Sequence, residues 1–389
     1  MSEISALAAQ PRLKVMTIVG TRPELIRLSA TIAKLDAHFE HILVHTGQNY
    51  DHALNQIFFD DLGIRPPDHV LATAGASPAH TIGNVISACD DVLATHAPDA
   101  VLILGDTNSS LAAIAAKRRK IPIFHMEAGN RCFDPRVPEE INRRIIDHIA
   151  DVNLPYSALA RQNLLAEGLR PDTIITTGSP MREVLNQMAG KIAASNILAR
   201  LQLTPQAYFV VSVHREENLD NPAQFGQFIA LLDQLATRFE QPVIVSTHPR
   251  TRQRLDAAGT QCHPLVRFET PFGFSDYISL QTQARAVLSD SGTLTEESAL
   301  LDFPALNLRQ TQERHEGMEE ASVMLVGLEP HRVFQGLEIL FASGGAPAGK
   351  RHIPADYLAD NVSDKIVRII LSYTHYVNRV VWSKETKAP

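Results

Sequence analysis

The sequence predicts an α/β protein built from two doubly wound parallel sheets. Three observations carry that reading: short β-branched runs alternate with longer helical patterns, a second series of such runs repeats the first, and polar clusters fall at the carboxyl ends of the runs. Length agrees with it, because 389 residues suit two domains of roughly 100–200 residues each. A content of 44% hydrophobic and 20% charged residues is that of an ordinary globular chain able to bury a core in each half.

The first series reads "LKVMTIVG" (13–20), "HILVHTG" (41–47), "AVLILGD" (100–106), "IPIFHME" (121–127) and "DTIITTG" (172–178). Apolar runs this short and continuous fit strands buried on both faces, as in a parallel sheet. A lysine- and alanine-rich helical stretch near 185–205 follows. The second series is then "YFVVSVH" (208–214), "PVIVSTH" (242–248), "LVRFET" (265–270), "ARAVLSD" (284–290) and "PALNL" (304–308). Two successive βαβ series place the boundary near 180–206, giving expected domains of 1–185 and 186–389. The closing stretch 362–380 sets Ile366, Ile369, Ile370 and Tyr373 at helical spacing, and this last helix is expected to pack back on the N-terminal domain.

Charge narrows the function. The net charge is -7 and no long basic run occurs, so nucleic acid and an anionic membrane surface are not expected partners. Cys89, Cys132 and Cys262 are scattered and odd in number, with neither a disulfide framework nor zinc spacing, which points to a reducing cytoplasm and to no metal. The N-terminal stretch has too short an apolar run for a signal peptide, and nowhere do about 18 apolar residues run uninterrupted.

The polar clusters are the argument for an enzyme. "GTRPE", "TGQNYD", "GDTNSS" and "HMEAGNR" end strands of the first series; "VHREEN", "THPRTR" and "SDSGTLTEE" end strands of the second. Ligands bind at the carboxyl edge of open α/β sheets, and two such edges across an interdomain cleft would make one deep site. "SDSGTLTEE" reads as strand, tight turn and helix start: either a phosphate site with a ribose-binding glutamate one turn in, or a plain capping box of Thr293 with Glu296. No G-x-G-x-x-G follows the first strand, which argues against a nicotinamide cofactor.

In "GTRPE", Arg22 ends a strand, Pro23 opens a helix and Arg27 follows a turn later, a pair able to grip a diphosphate or to neutralise nearby carboxylates. His214, Arg215, His248, Arg250 and Arg252 sit at strand ends in the second half, where a histidine serves structure more often than catalysis. In "HMEAGNRCFDPRVPEEINRR" (125–144), Glu127 closes a strand and Pro138 opens a helix whose Ile141, Ile145 and Ile149 form an apolar stripe. Glu139 and Glu140 lie four residues before Arg143 and Arg144, as in a solvated helix start. Glu127 and Asp106 on adjacent strand ends favour chemistry, because carboxylates brought together in a cleft divide into acid and base.

The ordered set "GTRPE", "GDTNSSLAA", "HMEAGNR", "PEEINR", "GSP", "VHREEN" and "SDSGTLTEE" resembles the non-hydrolysing UDP-N-acetylglucosamine 2-epimerase family over about residues 13 to 375. The resemblance implies two Rossmann-like domains in the glycosyltransferase-B arrangement, with the active site in the interdomain cleft. It implies inversion at C2 of a UDP-linked 2-acetamido sugar, by anti elimination of UDP and syn re-addition, without cofactor or metal. A cytoplasmic homodimer is implied too. The matching catalytic positions are Asp106, Glu127, Glu139 and His214; UDP-binding positions are Ser291, Gly292 and Glu297, with Arg22, Arg27, Gln48, Arg136, Arg215 and His248 as further substrate contacts. Arg27 stands where the family usually has lysine, Thr293 replaces a second glycine, and "GQNYD" lacks the usual histidine after its glutamine. "GNRCFDPRVPEE" is similar to the branch acting on UDP-2-acetamido-2,6-dideoxy-L-talose, the alternative substrate; a UDP-sugar-dependent glycosyltransferase and a non-catalytic nucleotide-sugar sensor are the alternatives of other classes.

Overall fold

A computed structural model describes residues 12–47, 59–219, 221–247, 249–259, 261–342 and 353–384. The chain divides into two compact units, Met1–Val184 together with Ala359–Pro389, and Leu185–Leu358.

The first unit's sheet contains β1 (Lys14–Val19), β2 (Glu40–His45), β3 (His69–Val70), β4 (Ala100–Leu104), β5 (Ile123–Met126) and β6 (Val152–Leu154) in the order β3-β2-β1-β4-β5-β6. The second contains β7 (Phe209–Ser212), β8 (Val243–Ser246), β9 (Val266–Glu269), β10 (Ala286–Ser289), β11 (Ala305–Asn307) and β12 (Met324–Leu325) in the order β12-β11-β10-β7-β8-β9. Every pairing is parallel. Counted from each unit's own first strand, both orders are 3-2-1-4-5-6. The direction of winding therefore reverses between β1 and β4 and again between β7 and β10, and connections leaving those neighbours in opposite directions open a crevice at their carboxyl ends.

The central strands are apolar on both faces because helices cover both. Val101, Leu102 and Ile103 of β4 are fully buried, and each such side chain contributes about 1.5–3 kcal/mol of transfer free energy. At the carboxyl end of β1 the chain runs so close to its neighbours that only glycine fits: a Cβ on Gly20 would lie 1.8 Å from Ser109 Oγ and 2.4 Å from Thr46 Oγ1.

Three strands depart from the expected pattern. Residues 172–178 form a short turn at Pro171–Thr173 and one bridge from Ile174 to Asn153, while the sixth strand is the preceding "VNL" of β6. It is a three-residue segment, and β3 and β12 have two residues each, too few to carry a period.

The isoleucine stripe of Pro138–Ile149 is also corrected. Ile141 is 52% and Ile145 39% exposed, whereas Glu140, Arg143, Ile146 and Asp147 point inward. The inward face is polar because it meets charged partners, which hydrophobic periodicity cannot register.

The last helix, Val362–Val380, belongs to the first unit. Ile366, Ile370 and Val377 are fully buried among Leu25, Leu28, Ile32 and Leu35 of the helix Arg22–His38. Ser363 N–H donates to Glu183 at 3.0 Å and Lys365 Nζ to the Thr177 carbonyl at 2.7 Å, fixing the helix start.

Candidate active site

In the first unit the functional side chains stand at the carboxyl ends of β1, β4 and β5. Thr21 caps the helix Arg22–His38, and Glu24 reaches back to accept from the N–H groups of Gly20 (2.5 Å) and Thr21 (2.8 Å). Glu24 also accepts from Thr107 Oγ1 at 2.6 Å, joining the turn after β1 to the turn after β4. Burial pushes its carboxyl up to about 7 in spite of these donors.

Asp106 follows Gly105 at the end of β4, and Arg143 holds its Oδ2 through Nε at 2.9 Å and Nη2 at 2.6 Å. Asn142 Nδ2 donates to the Asp106 carbonyl at 3.0 Å. Glu127, one residue past β5, has a left-handed backbone with φ of 66°. That conformation is uncommon for a residue with a side chain and turns the carboxylate out of the strand direction. Its Oε2 pairs with Arg27 Nη1, and Asn130 Nδ2 donates to Oε1 at 3.3 Å. Both members of the Arg27–Glu127 pair are nearly buried. Asp106 and Glu127 thus stand on adjacent strands, each with its own arginine.

Beneath them lies a charged layer. His125 on β5 donates from Nε2 to the Gly105 carbonyl at 2.8 Å, and its Nδ1 is 2.9 Å from Asp147 Oδ1. Asp147 also takes Arg131 Nη1 at 2.7 Å and Gly129 N–H at 3.1 Å, so one buried carboxylate supports both the turn that carries Asp106 and the loop after Glu127. Burial works against charge on both members of the pair. Their mutual attraction outweighs it, leaving His125 raised and Asp147 lowered, the latter helped by Arg131.

Of the two glutamates that open Pro138–Ile149, Glu140 is the buried one. Arg143 and Arg144 both turn to Glu140, each at 3.1 Å, and it accepts from Cys132 N–H at 2.9 Å. Burial opposes its charge, but the Cys132 N–H and Arg143 prevail and hold the carboxyl below its ordinary value. The expected i,i+4 pair of Glu140 with Arg144 forms, but within this buried knot rather than at a solvated helix start, and Arg143 divides itself between Glu140 and Asp106. Glu139 is partly exposed at the same helix start, and Arg22 is partly exposed after β1. Arg136 lies on the surface, pairing with Asp134 at 2.8 Å.

In the second unit the corresponding ends are those of β7 and β10. His214 follows β7, half exposed, with Nδ1 3.0 Å from Asp290 Oδ1. Arg215 donates from Nε to the Asp290 carbonyl at 3.2 Å and from Nη2 to Glu313 at 3.3 Å. Burial would raise Asp290, yet His214, Asn218 and the Arg215 N–H hold it far below the usual carboxylate range. Gly292 lies in the turn after β10, where an added Cβ would sit 2.6 Å from Glu313 Oε1.

The helix Leu294–Leu301 follows. The capping box of Thr293 and Glu296, one of the two readings of this turn, is not formed: Thr293 makes no side-chain cap, and Glu296 is buried 3.6 Å from Arg314. Thr293 Oγ1 instead bonds Ser291 Oγ at 2.9 Å. Glu297, one turn into the helix, is buried and accepts from Gln281 Nε2 at 2.9 Å. Gln48 and His248 lie outside the described residues.

Sequence reasoning passed over Glu24, His125, Asp147, Asp290 and Glu313. Asp290 lies inside the "SDSG" turn itself, and its signal was an acidic residue at a strand end opposite a strand-end histidine.

A family model described as UDP-N-acetylglucosamine 2-epimerase matches residues 33–371. The chain belongs to the UDP-N-acetylglucosamine 2-epimerase family. It is an enzyme of the isomerase class. The solved structure of UDP-N-acetylglucosamine 2-epimerase from Rickettsia bellii is 49% identical, covers 96% of this chain and 100% of its own, and superposes with a TM-score of 0.88. The Methanocaldococcus jannaschii UDP-GlcNAc 2-epimerase, crystallised with UDP-GlcNAc and UDP, is 29% identical over 92% of this chain and 100% of its own, with a TM-score of 0.86. A UDP-N-acetylglucosamine 2-epimerase of Methanococcus maripaludis is 32% identical over 85% of this chain and 92% of its own. The two six-stranded parallel sheets of this epimerase-family chain match that architecture. No helix among the described residues is long and apolar enough to cross a membrane.

Proposed function

We propose that the chain interconverts UDP-N-acetylglucosamine and UDP-N-acetylmannosamine by elimination and re-addition of UDP. The observation that carries this reading is the placement of Asp106 and Glu127 at neighbouring strand ends, each beside a separate arginine. In the forward step a base removes the C2 proton while the C1–O bond to the diphosphate breaks, giving a 2-acetamidoglucal and UDP. In the return step a proton is delivered to the opposite face of C2 and the diphosphate oxygen re-forms the bond to C1. The sequence is redox-neutral, so the chemistry asks for proton carriers rather than a nicotinamide.

Asp106 and Glu127 fill the proton-carrying roles, with Glu139 as the third catalytic acid. His214, Arg215 and Arg22 serve the departing diphosphate. The turn at Ser291 and Gly292, opening the helix Leu294–Leu301, receives phosphate oxygens, and Glu297 takes the ribose hydroxyls. The test is proton NMR in D2O with the purified protein. Deuterium is expected at C2 of UDP-N-acetylglucosamine as the 2-epimer appears; binding without exchange would overturn the reading. Faster exchange into UDP-2-acetamido-2,6-dideoxy-L-talose would move the substrate to the 6-deoxy branch.

The partner we propose is a second copy of the chain. Ile141 and Ile145 present apolar side chains to solvent on one helix, with Phe133 exposed in the loop before it, the kind of surface a subunit contact covers. Sedimentation equilibrium is expected to give twice the monomer mass; a monomer at micromolar concentration would refute the assignment.

A further inference from the structure

His214 depends on the residue below it. Asp290, fully buried at the end of β10, takes the ring at Oδ1, with Nδ1 at 3.0 Å. Its Oδ2 accepts from Arg215 N–H at 3.0 Å and Asn218 Nδ2 at 2.9 Å, and His214 N–H lies 3.2 and 3.1 Å from its two oxygens. A carboxylate surrounded by donors in this way is ionised and accepts only, so the nitrogen facing it carries a hydrogen. The tautomer and the rotation of the ring are thereby set together, and Nε2 becomes the only ring nitrogen available to a ligand.

We propose that Asp290 is a positioning residue for the epimerisation, holding His214 in its Nδ1–H form and aiming Nε2 at the diphosphate that leaves C1. The proposal rests on the epimerase reading given above. The ring so held has its free lone pair on Nε2; taking up a solvent proton there as the anionic nucleotide binds, it presents Nε2–H to the diphosphate oxygen, a bond that tightens as the C1–O bond breaks and negative charge gathers on UDP. Asp290 touches no substrate and acts through the ring.

Asp290 also holds two backbone N–H groups, so a merely structural role is the rival account. Asp290→Asn keeps the volume and one acceptor oxygen for the backbone but removes the charge that fixes the ring. It is expected to lower kcat about 10- to 100-fold while KM and the UDP dissociation constant stay within about twofold. In a His214→Gln background the same change is expected to cost nothing further, since two residues that act as one unit are not additive. An equal loss in both backgrounds, or a weakened UDP affinity in both, would overturn the proposal in favour of backbone support. Nitrogen-15 NMR of the histidine-labelled protein supplies an independent reading: the Nδ1–H tautomer is expected in the parent and lost in Asp290→Asn, and a parent in the other tautomer sinks the idea. If the parent exchanges no deuterium at C2 yet shows the Nδ1–H tautomer, it is the epimerase reading that fails and the Asp290–His214 contact that stands.

Discussion

Glu127→Gln is expected to lose about 10²- to 10⁴-fold in turnover while binding UDP as tightly as the parent, the range for removing a proton-transfer group. Glutamine keeps the volume and one acceptor oxygen, which stays with the closer donor Arg27 Nη1 at the cost of the 3.3 Å bond from Asn130 Nδ2, while the titrating group disappears. Of the residues proposed to hold UDP, His214, Arg215, Ser291, Gly292 and Glu297 are in the other unit, while Glu127 bonds Arg27 and Asn130 of its own, which is why affinity and turnover should part company. Some stability goes as well, because Arg27 is nearly buried and loses its counter-charge. The measurement is kcat by NMR alongside UDP titration calorimetry at a temperature where circular dichroism shows the variant folded. Turnover within tenfold of the parent would remove Glu127 from the chemistry.

Asp147→Ala carries the second large effect, on stability first. Asp147 is fully buried and neutralises the equally buried Arg131 and His125. Removing one partner from a buried pair costs about 3–5 kcal/mol, mostly from the charge left behind. Turnover should fall too, since the turn at Gly105 and the loop at Gly129 lose their common support.

The pH dependence of that cost has a definite sign. His125 is raised above its ordinary 6.5 in the folded state, so its contribution is complete below that value and is lost as pH climbs through the raised one. Asp147 is lowered from its ordinary 3.8, so its contribution is present above that value and is lost as pH drops through the lowered one. The gap in Tm between parent and variant should therefore be widest between about pH 4 and 6.5 and should narrow on the alkaline side. Calorimetric scans across that range check it; a gap that widens above pH 7 would mean that His125 is not charged in the folded protein.

The sequence reveals these features unequally. β1, β4, β5, β7, β8 and β10 are legible because each is a run of four to six residues, nearly all of them buried. β3, β6 and β12 are not, since a strand of two or three residues leaves no pattern. Asp106 and Glu127 draw notice because polar residues ending apolar runs mark the ligand edge of such a sheet. Their partners carry no comparable mark: Arg27 meets Glu127 across 100 positions, and Arg143 meets Asp106 across 37. Pro138–Ile149 misleads for a related reason, because it buries Glu140, Arg143 and Asp147 and leaves Ile141 and Ile145 outside, the reverse of what apolar periodicity assumes.

The interrupted first unit bears on the order in which the protein matures during synthesis. The second unit is one unbroken segment, Leu185–Leu358, and holds all its own strands as soon as it leaves the ribosome. The first unit is begun earlier but still lacks Val362–Val380, which is translated after the whole of the second unit. The half made first is thus the half finished last, against the usual rule that domains fold in the order they emerge. Until Val362–Val380 has been made and has docked, the groove that receives Ile366, Ile370 and Val377 stays uncovered, leaving the nascent first unit a client for chaperones.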